Sequence, residues 1–367
     1  MHILMIAPEQ VPIPGSGSVE ICMLAIAKEL VKQHKVTIIS RQYKGCKNIV
    51  SLDNLTIIRV PAISSNKYIT AVLHYIKGKH YDFIQVDNRP IYMAKVKKAK
   101  PKTPVALFLH SMTFVPRTLE IASCLHKADL IIANSSSLKN NLARIFPNQN
   151  HKIHIVHLGV DVSRFKPLTN TQKNAYRSKQ QLGSSFLLLF SGRVVPRKGV
   201  AELIEATRLV RTQIPDTKLI IVGAGNTTYI RKLNSIAKKR NIPVYFTGLV
   251  SHKSIHNIYR LVDCFICPSQ KHEAFGLVNI EAMASGIPVV ASDIGGIKEI
   301  IKHGQNGYLV KDYKNPQSFA HYIIKIGQNK LLADNMAQQG RLMAVNQFSW
   351  SHTAARLMAI YKKSSRE

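Results

Sequence analysis

Two glutamates, Glu273 and Glu281, bracket the tripeptide Phe275-Gly276-Leu277 inside the stretch 268–296, which reads PSQKHEAFGLVNIEAMASGIPVVASDIGG. The spacing predicts three pieces: a polar loop (PSQKHEAF), a short helix over Gly276–Ser285, and a buried strand over Pro288–Ser292. Gly286 just past the helix and Pro288 soon after it supply the stop. The loop therefore feeds a helix N-terminus, where unpaired N–H groups near Phe275, Gly276 and Leu277 attract anions, phosphates above all. Gly276 removes the side chain where a phosphate would come close. Carboxylates beside a phosphate are electrostatically costly unless they have another job, and accepting hydrogen bonds from sugar hydroxyls is one. Together these groups fit a sugar nucleotide. The bland reading of each glutamate, a dipole partner or a surface charge, is the stronger one for a lone residue and weaker for this pair.

A second basic loop, SGRVVPRKG over 191–199, follows the apolar run 186–190 and precedes a helix. It carries Arg193 and Lys198 between Gly192 and Gly199. A diphosphate taken out of water needs comparable positive charge, which Arg supplies as a planar fork and Lys as a point charge. The loop PIPGSGS (12–18) joins the first strand to the first helix, and its small residues Gly15, Ser16 and Gly17 permit close backbone approach to a phosphate or sugar. It lacks a true G-x-G-x-x-G. Gly223 and Gly225 end the strand IIVGAG as turn glycines, and His110 ends the strand VALFLH.

The elements that must position these residues alternate between continuous apolar strands and helical spacings. His2–Pro8, 36–40, 56–61, 83–88, 105–110, 130–133 and 153–160 form a first set of strands. The polar stretch Asp161–Gln181 reads as a linker. The pattern restarts at 186–191, 219–222, 244–247, Cys264–Cys267 and 288–292, with helices beginning near Gly199, Thr228, Ser251 and Gly276. Apolar strands separated by helices predict parallel sheets covered on both faces, an α/β fold of two doubly wound domains. Ligands of such sheets bind beyond the carboxyl ends of strands. The chain closes on FSWS and an amphipathic helix over 354–362, where Trp350 reads as ordinary core.

With 367 residues the chain can hold two ordinary domains. An apolar fraction of 46% and a charged fraction of 19% describe a globular protein. The N-terminal HILMIA reads as a strand rather than a signal peptide, and no apolar run reaches the length of a membrane span. Five scattered cysteines suggest a reducing cytoplasm, and the Cys264–Cys267 pair lies inside the apolar run CFIC as part of a buried strand. Lys and Arg number 51 against 20 Asp and Glu, a formal charge of +31. That balance points to an acidic partner. Only KVKKAKPK (95–102) is dense in lysine, and it lacks interleaved aromatics, so an anionic membrane surface or polyanion fits better than nucleic acid.

The Glu273/Glu281 spacing (Glu, seven residues, Glu), with PS before it and EAMASGIPVV after, resembles the donor-binding signature of the retaining GT-B glycosyltransferases of family 4. The look of the whole chain, including FSW near the tail, is nearest the bacterial spore-coat and cell-envelope members. The resemblance implies two Rossmann-like domains facing across a cleft: 1–165 for the acceptor, 166–347 for the nucleotide-sugar donor, and 348–367 as a helix crossing back. It implies that Arg193 and Lys198 contact the donor phosphates, that Glu273 holds hydroxyls of the transferred sugar and that Glu281 holds the ribose diol. Gly248, Leu249 and Val250 resemble the segment that meets the nucleobase. His110 would orient the sugar and stabilise charge. The implied reaction moves a hexosyl group from a nucleotide-diphosphate sugar, a UDP-sugar by family frequency, to a hydroxyl of a glycan, lipid-linked or protein acceptor, with the anomeric configuration retained. No Asp-x-Asp occurs, so a catalytic metal and any further cofactor are not expected. The implied location is cytoplasmic, peripheral at the inner membrane or associated with the spore coat. Two rivals stand beside this reading: a sugar-nucleotide epimerase of the same fold, and a non-catalytic coat component that binds glycan or membrane.

Overall fold

The computed structural model describes residues 1–11 and 17–365, so Gly15 lies outside the described residues. The chain divides into two compact units, Met1–Gly159 with Trp350–Glu367, and Val160–Ser349. The first unit runs β1 (His2–Ile6), α1 (Ser18–Leu30), β2 (Lys35–Arg41), β3 (Ile49–Leu52), β4 (Leu55–Val60), α2 (Ser65–Ile76), β5 (Phe83–Asp87), α3 (Pro90–Ala99), β6 (Val105–Leu109), α4 (Leu119–Lys127), β7 (Leu130–Ala133), α5 (Ser136–Ile145) and β8 (Ile153–Ile155). Strand order is β3-β4-β2-β1-β5-β6-β7-β8, parallel except for the β3–β4 hairpin. Runs such as HILMI and VALFL are buried along their length because helices cover both faces of this sheet. Ser64, Thr118 and Ser135 start α2, α4 and α5 by accepting an N–H of the first turn on their side-chain oxygens. The order of strands reverses direction between β1 and β5, which makes their carboxyl ends the switch point of the sheet.

The second unit runs α6 (Asn170–Lys179), β9 (Phe186–Ser191), α7 (Val200–Arg211), β10 (Thr217–Val222), α8 (Thr227–Lys239), β11 (Val244–Gly248), α9 (His256–Tyr259), β12 (Cys264–Cys267), α10 (Leu277–Ala284), β13 (Val289–Ser292), α11 (Ile297–Ile300), β14 (Tyr308–Val310), α12 (Pro316–Gln328) and α13 (Lys330–Gln347). Its sheet is parallel in the order β11-β10-β9-β12-β13-β14, with the switch point between β9 and β12. The last helix, α14 (Trp350–Ser364), packs with the first unit against α1, and its Tyr361 stacks on Phe83 with ring centroids 3.9 Å apart.

The stretch 161–181 is not a plain linker. Its residues 170–179 form α6, started by a capping box between Thr169 and Gln172. Little of α6 is apolar because charge anchors it instead: Lys173 lies 2.8 Å and Arg177 2.5 Å from Asp263. Burial lowers the Lys173 pKa, and Asp263 opposes that shift. Residues 160–165 pack with the second unit, where Phe165 is buried against Tyr259 and the Val160 N–H donates to the Phe348 carbonyl. The expected helix near Ser251 is a pair of turns ahead of the four-residue α9, and the strand expected over 153–160 ends at Ile155.

Candidate functional site

The carboxyl ends of β9 and β12, at the switch point of the second sheet, are continued by the two loops that carry most of the expected site residues. The first loop leaves β9 through Gly192, turns through a short 3-10 segment (Pro196–Lys198) and enters α7 at Gly199, which has φ +73°. A Cβ at Gly199 would sit 1.8 Å from the Pro268 carbonyl oxygen. Only glycine lets this loop close onto the second, and the contact is sealed by the Gln270 N–H donating to the Arg197 carbonyl at 2.8 Å.

That closure brings Lys198 against Glu273. The ammonium forms an ion pair with Oε2, which also accepts from the Ser269 hydroxyl at 3.2 Å. Both charged side chains are largely withdrawn from solvent, at 17% and 21% exposure. Glu273 precedes the N-terminus of α10, capped by Gly276 with φ +95°. Phe275 and Gly276 are buried and Leu277 is half-buried, so the backbone N–H groups here are held by packed structure. Arg193 is exposed and has no carboxylate partner among the described residues. One cation thus neutralises the carboxylate, while another on the same loop, Arg193, is exposed.

Glu281 lies one helix face further in, with its side chain 7% exposed. Tyr259, fully buried, donates its hydroxyl to Oε2 at 3.1 Å, and His252 Nε2 stands 3.3 Å from Oε1. Arg164 Nη2 lies 3.1 Å from His252 Nδ1. Arginine only donates, so Nδ1 accepts and the proton sits on Nε2, which donates to Glu281. Each carboxylate oxygen therefore holds one donor and keeps lone-pair capacity for another. Burial, then the Glu281 charge, pushes the Tyr259 phenol well above its ordinary pKa, so it stays a donor.

Gly223 (φ +142°) ends β10 so close to the first loop that a Cβ would fall 1.8 Å from the Gly192 oxygen. Its N–H donates to the Gly248 carbonyl at 2.9 Å. Leu249, at 54% exposure, and half-buried Val250 continue from Gly248 toward His252, which links this segment to Glu281. The second unit therefore carries Arg193, Lys198, Gly223, Leu249, Val250, Glu273, Phe275 and Gly276 on loops after the strands of one sheet, Gly248 at the end of β11, and Leu277 and Glu281 on α10. Two groups that sequence reasoning missed support them. Gly295 and Gly296 pack on the Glu273 loop, a Cβ at Gly295 meeting the Glu273 oxygen at 2.0 Å. His252 and Tyr259 hold Glu281, and no spacing signals that they do.

Gly17 and His110 belong to the first unit. Gly17 caps α1, accepting the Ile21 N–H on its carbonyl at 3.2 Å. The His110 side chain is 7% exposed, stacks on Phe108, and places Nε2 3.0 Å from Asp87 Oδ2. Asp87 also accepts from Gln85 at 2.5 Å, and Gln85 Oε1 accepts the Tyr361 hydroxyl. A buried chain Tyr361–Gln85–Asp87–His110 thus fixes the imidazole and leaves Nδ1 as its unassigned nitrogen. Asn88, in the left-handed region at φ +55°, accepts the His110 N–H on Oδ1 at 2.8 Å.

Two parallel-sheet Rossmann-like units of this construction are those of a GT-B protein. The chain belongs to the group 1, family 4 glycosyltransferases: residues 19–164 match "Glycosyltransferase Family 4" and residues 172–343 match "Glycosyl transferases group 1". It is 28% identical over 379 residues to spore coat protein SA of Bacillus subtilis (strain 168), covering 99% of this chain and 100% of that protein. Among solved structures, sucrose-phosphate synthase from Thermosynechococcus elongatus superimposes with a TM-score of 0.84 at 20% identity, covering 99% of each chain. Anabaena Alr3699/HepE in complex with UDP superimposes at 0.79 and 20% identity over 99% of this chain and 100% of that one; it has also been solved with UDP-glucose. These two likenesses are of fold.

Proposed function

We propose that this protein is a retaining hexosyltransferase, metal-independent, that moves a hexosyl group from a nucleotide-diphosphate sugar, a UDP-sugar first of all, to a hydroxyl of a cell-envelope, polysaccharide or spore-coat acceptor. The observation that carries the reading is the Lys198–Glu273 ion pair beside the α10 N-terminus, with Arg193 free. Without Lys198, the Glu273 carboxylate would repel a bound phosphate by about 4 kcal/mol at 4 Å in a partly shielded site. With it, the carboxylate can accept sugar hydroxyls while the diphosphate takes Arg193, Lys198 and the helix N–H groups. The departing diphosphate carries the charge that develops as the glycosidic bond breaks, so these groups act most strongly in the transition state. Glu281 takes the ribose diol with its spare lone pairs, and the segment 248–250 takes the base. His110, held by Asp87, orients the transferred sugar. No side chain is assigned as a covalent nucleophile; the acceptor enters on the face the diphosphate leaves.

The spore-coat likeness favours a coat or envelope acceptor and a cytoplasmic protein peripheral to those structures. The test is thermal stabilisation across UDP, GDP and ADP sugars, followed by donor hydrolysis and proton NMR of the released sugar. The expected outcome is a shift of several degrees for a UDP-sugar and slow release of the same anomer. Conversion of the donor to an epimer would replace the transferase reading, and the absence of any shift in folded protein would end it.

A further inference from the structure

The exposed large aliphatic and aromatic side chains of the first unit are not scattered. Ile63 (84% exposed), Ile91 (38%) and Leu119 (91%) stand immediately before or within the first turn of α2, α3 and α4, and Phe114 (40%) lies in the loop that joins β6 to α4. Those helices follow β4, β5 and β6 of a parallel sheet, so all their N-termini lie at one edge, the carboxyl end of the strands. Neighbouring helices pack about 10 Å apart, which lays the tips along a strip roughly 20 Å long. The strip continues along α2 into a groove of about 600 Å³, walled by Val60, Pro61, Ala71 and Tyr75 with Lys67 beside it. The β3 strand is the other exposed apolar feature of this unit, and nothing on it indicates an occupant.

Charge at the same edge has one dominant sign. Lys44 and Lys47, in the loop after β2, and Lys67 and Arg117, beside the tips of α2 and α4, are exposed. Of the acids there, Glu9 is exposed but paired with Arg41 and Arg89, Glu20 and Asp87 are buried, and Glu120 is exposed. Arg89 lies over the Phe114 ring at 3.5 Å. Aliphatic tips ringed by cations match a surface that presents phosphates above hydrocarbon. The geometry points to this edge of the first unit as a docking surface for an anionic lipid leaflet: Ile63, Leu119 and Phe114 enter the acyl boundary while Lys44, Lys47, Lys67 and Arg117 meet the headgroup phosphates. No helix among the described residues is long and apolar enough to cross a membrane, so attachment of this kind is interfacial.

Flotation of the full chain with phosphatidylcholine vesicles, with and without phosphatidylglycerol, tests the docking surface. Binding is expected with phosphatidylglycerol only. The double variant Ile63→Glu/Leu119→Glu should lower the partition coefficient about tenfold or more, and Lys44→Ala or Lys67→Ala roughly fivefold each. Leu331→Glu, 72% exposed on the second unit, should change nothing. Wild-type flotation by the Ile63/Leu119 double variant would show that the diffuse charge of the whole surface suffices and would overturn the assignment. Absence of flotation with phosphatidylglycerol would do the same. Melting curves confirm folding of each variant, and UDP-sugar hydrolysis, read on the same samples, should stay within about twofold of wild type. Loss of that hydrolysis in wild-type protein that still floats would strike the donor reading alone.

Discussion

The two units share one construction and use its carboxyl edge differently. In the second, backbone meets backbone: Gly199 on Pro268, Gly223 on Gly192 and Gly295 on Glu273 each stand where a Cβ would fall within about 2 Å of a carbonyl oxygen. Those contacts close polar loops over charged side chains held in pairs. In the first unit, the edge is built from a buried hydrogen-bond chain, Tyr361–Gln85–Asp87–His110, and from exposed aliphatic helix tips. A rigid frame of glycine contacts suits a small polar ligand that must be gripped in one pose. An edge with apolar tips and loose cations suits a broad partner whose contact is spread over area. The difference teaches that one fold, used twice in a chain, can divide grip from contact.

The largest effect expected from breaking this division is at Lys198. Lys198→Ala removes a proposed phosphate ligand and also leaves Glu273 uncompensated, so kcat/KM for donor hydrolysis should fall about 10²- to 10³-fold. Arg193→Ala removes one charge-assisted contact without orphaning a carboxylate and should cost about 10- to 100-fold. Equal losses in the two variants would argue against the coupling of Lys198 to Glu273.

Backbone closeness sharpens the comparison next. Gly223→Ala places a methyl against the Gly192 carbonyl at a φ of +142°, and should destabilise by roughly 2 kcal/mol or more, seen as a Tm lower by about 5 °C. Gly45→Ala in the first unit, at φ +86° with open space around it, should cost about 1 kcal/mol. Matching Tm shifts would mean that steric contact at the second edge contributes little.

Much of this was legible in sequence, for a physical reason. The α10 N-terminus at Gly276 was legible from the glycine and proline that bound the helix, and Arg193, Lys198, Glu273 and Glu281 stood out by local spacing, with their roles toward phosphate and sugar a proposal. Two parallel sheets followed from apolar runs and helical spacings, whereas the order of strands within them did not. What was hidden depends on topology: Tyr361 meets Gln85 across 276 positions, and His252 meets Glu281 across 29. The helix within 161–181 escaped because polar anchors to Asp263 hold it, not an apolar face. Strands β3 and β14 are short edge strands, too brief to show a period.

The smallest expected effect lies in the first unit. Burial, with the charges of Asp87 and Glu9 behind it, raises the pKa of Glu20 above its ordinary 4.5. The folded state therefore binds this proton more tightly than the unfolded one, and stability is lost as pH rises from about 4.5 through the folded value. Glu20→Gln should raise Tm by a few degrees at pH 7 and by nothing near pH 4. A Tm gain that is independent of pH would show that the carboxylate's charge is not its cause.

Whether the second unit's carboxyl edge grips a sugar nucleotide is decided by calorimetric titration of UDP-glucose into wild-type protein and Glu281→Ala. Saturable one-site binding to wild type is expected, with an affinity at least tenfold weaker in the variant and no loss of folded protein. Equal binding by both proteins, or no heat with UDP-, GDP- or ADP-glucose in folded wild type, would contradict it.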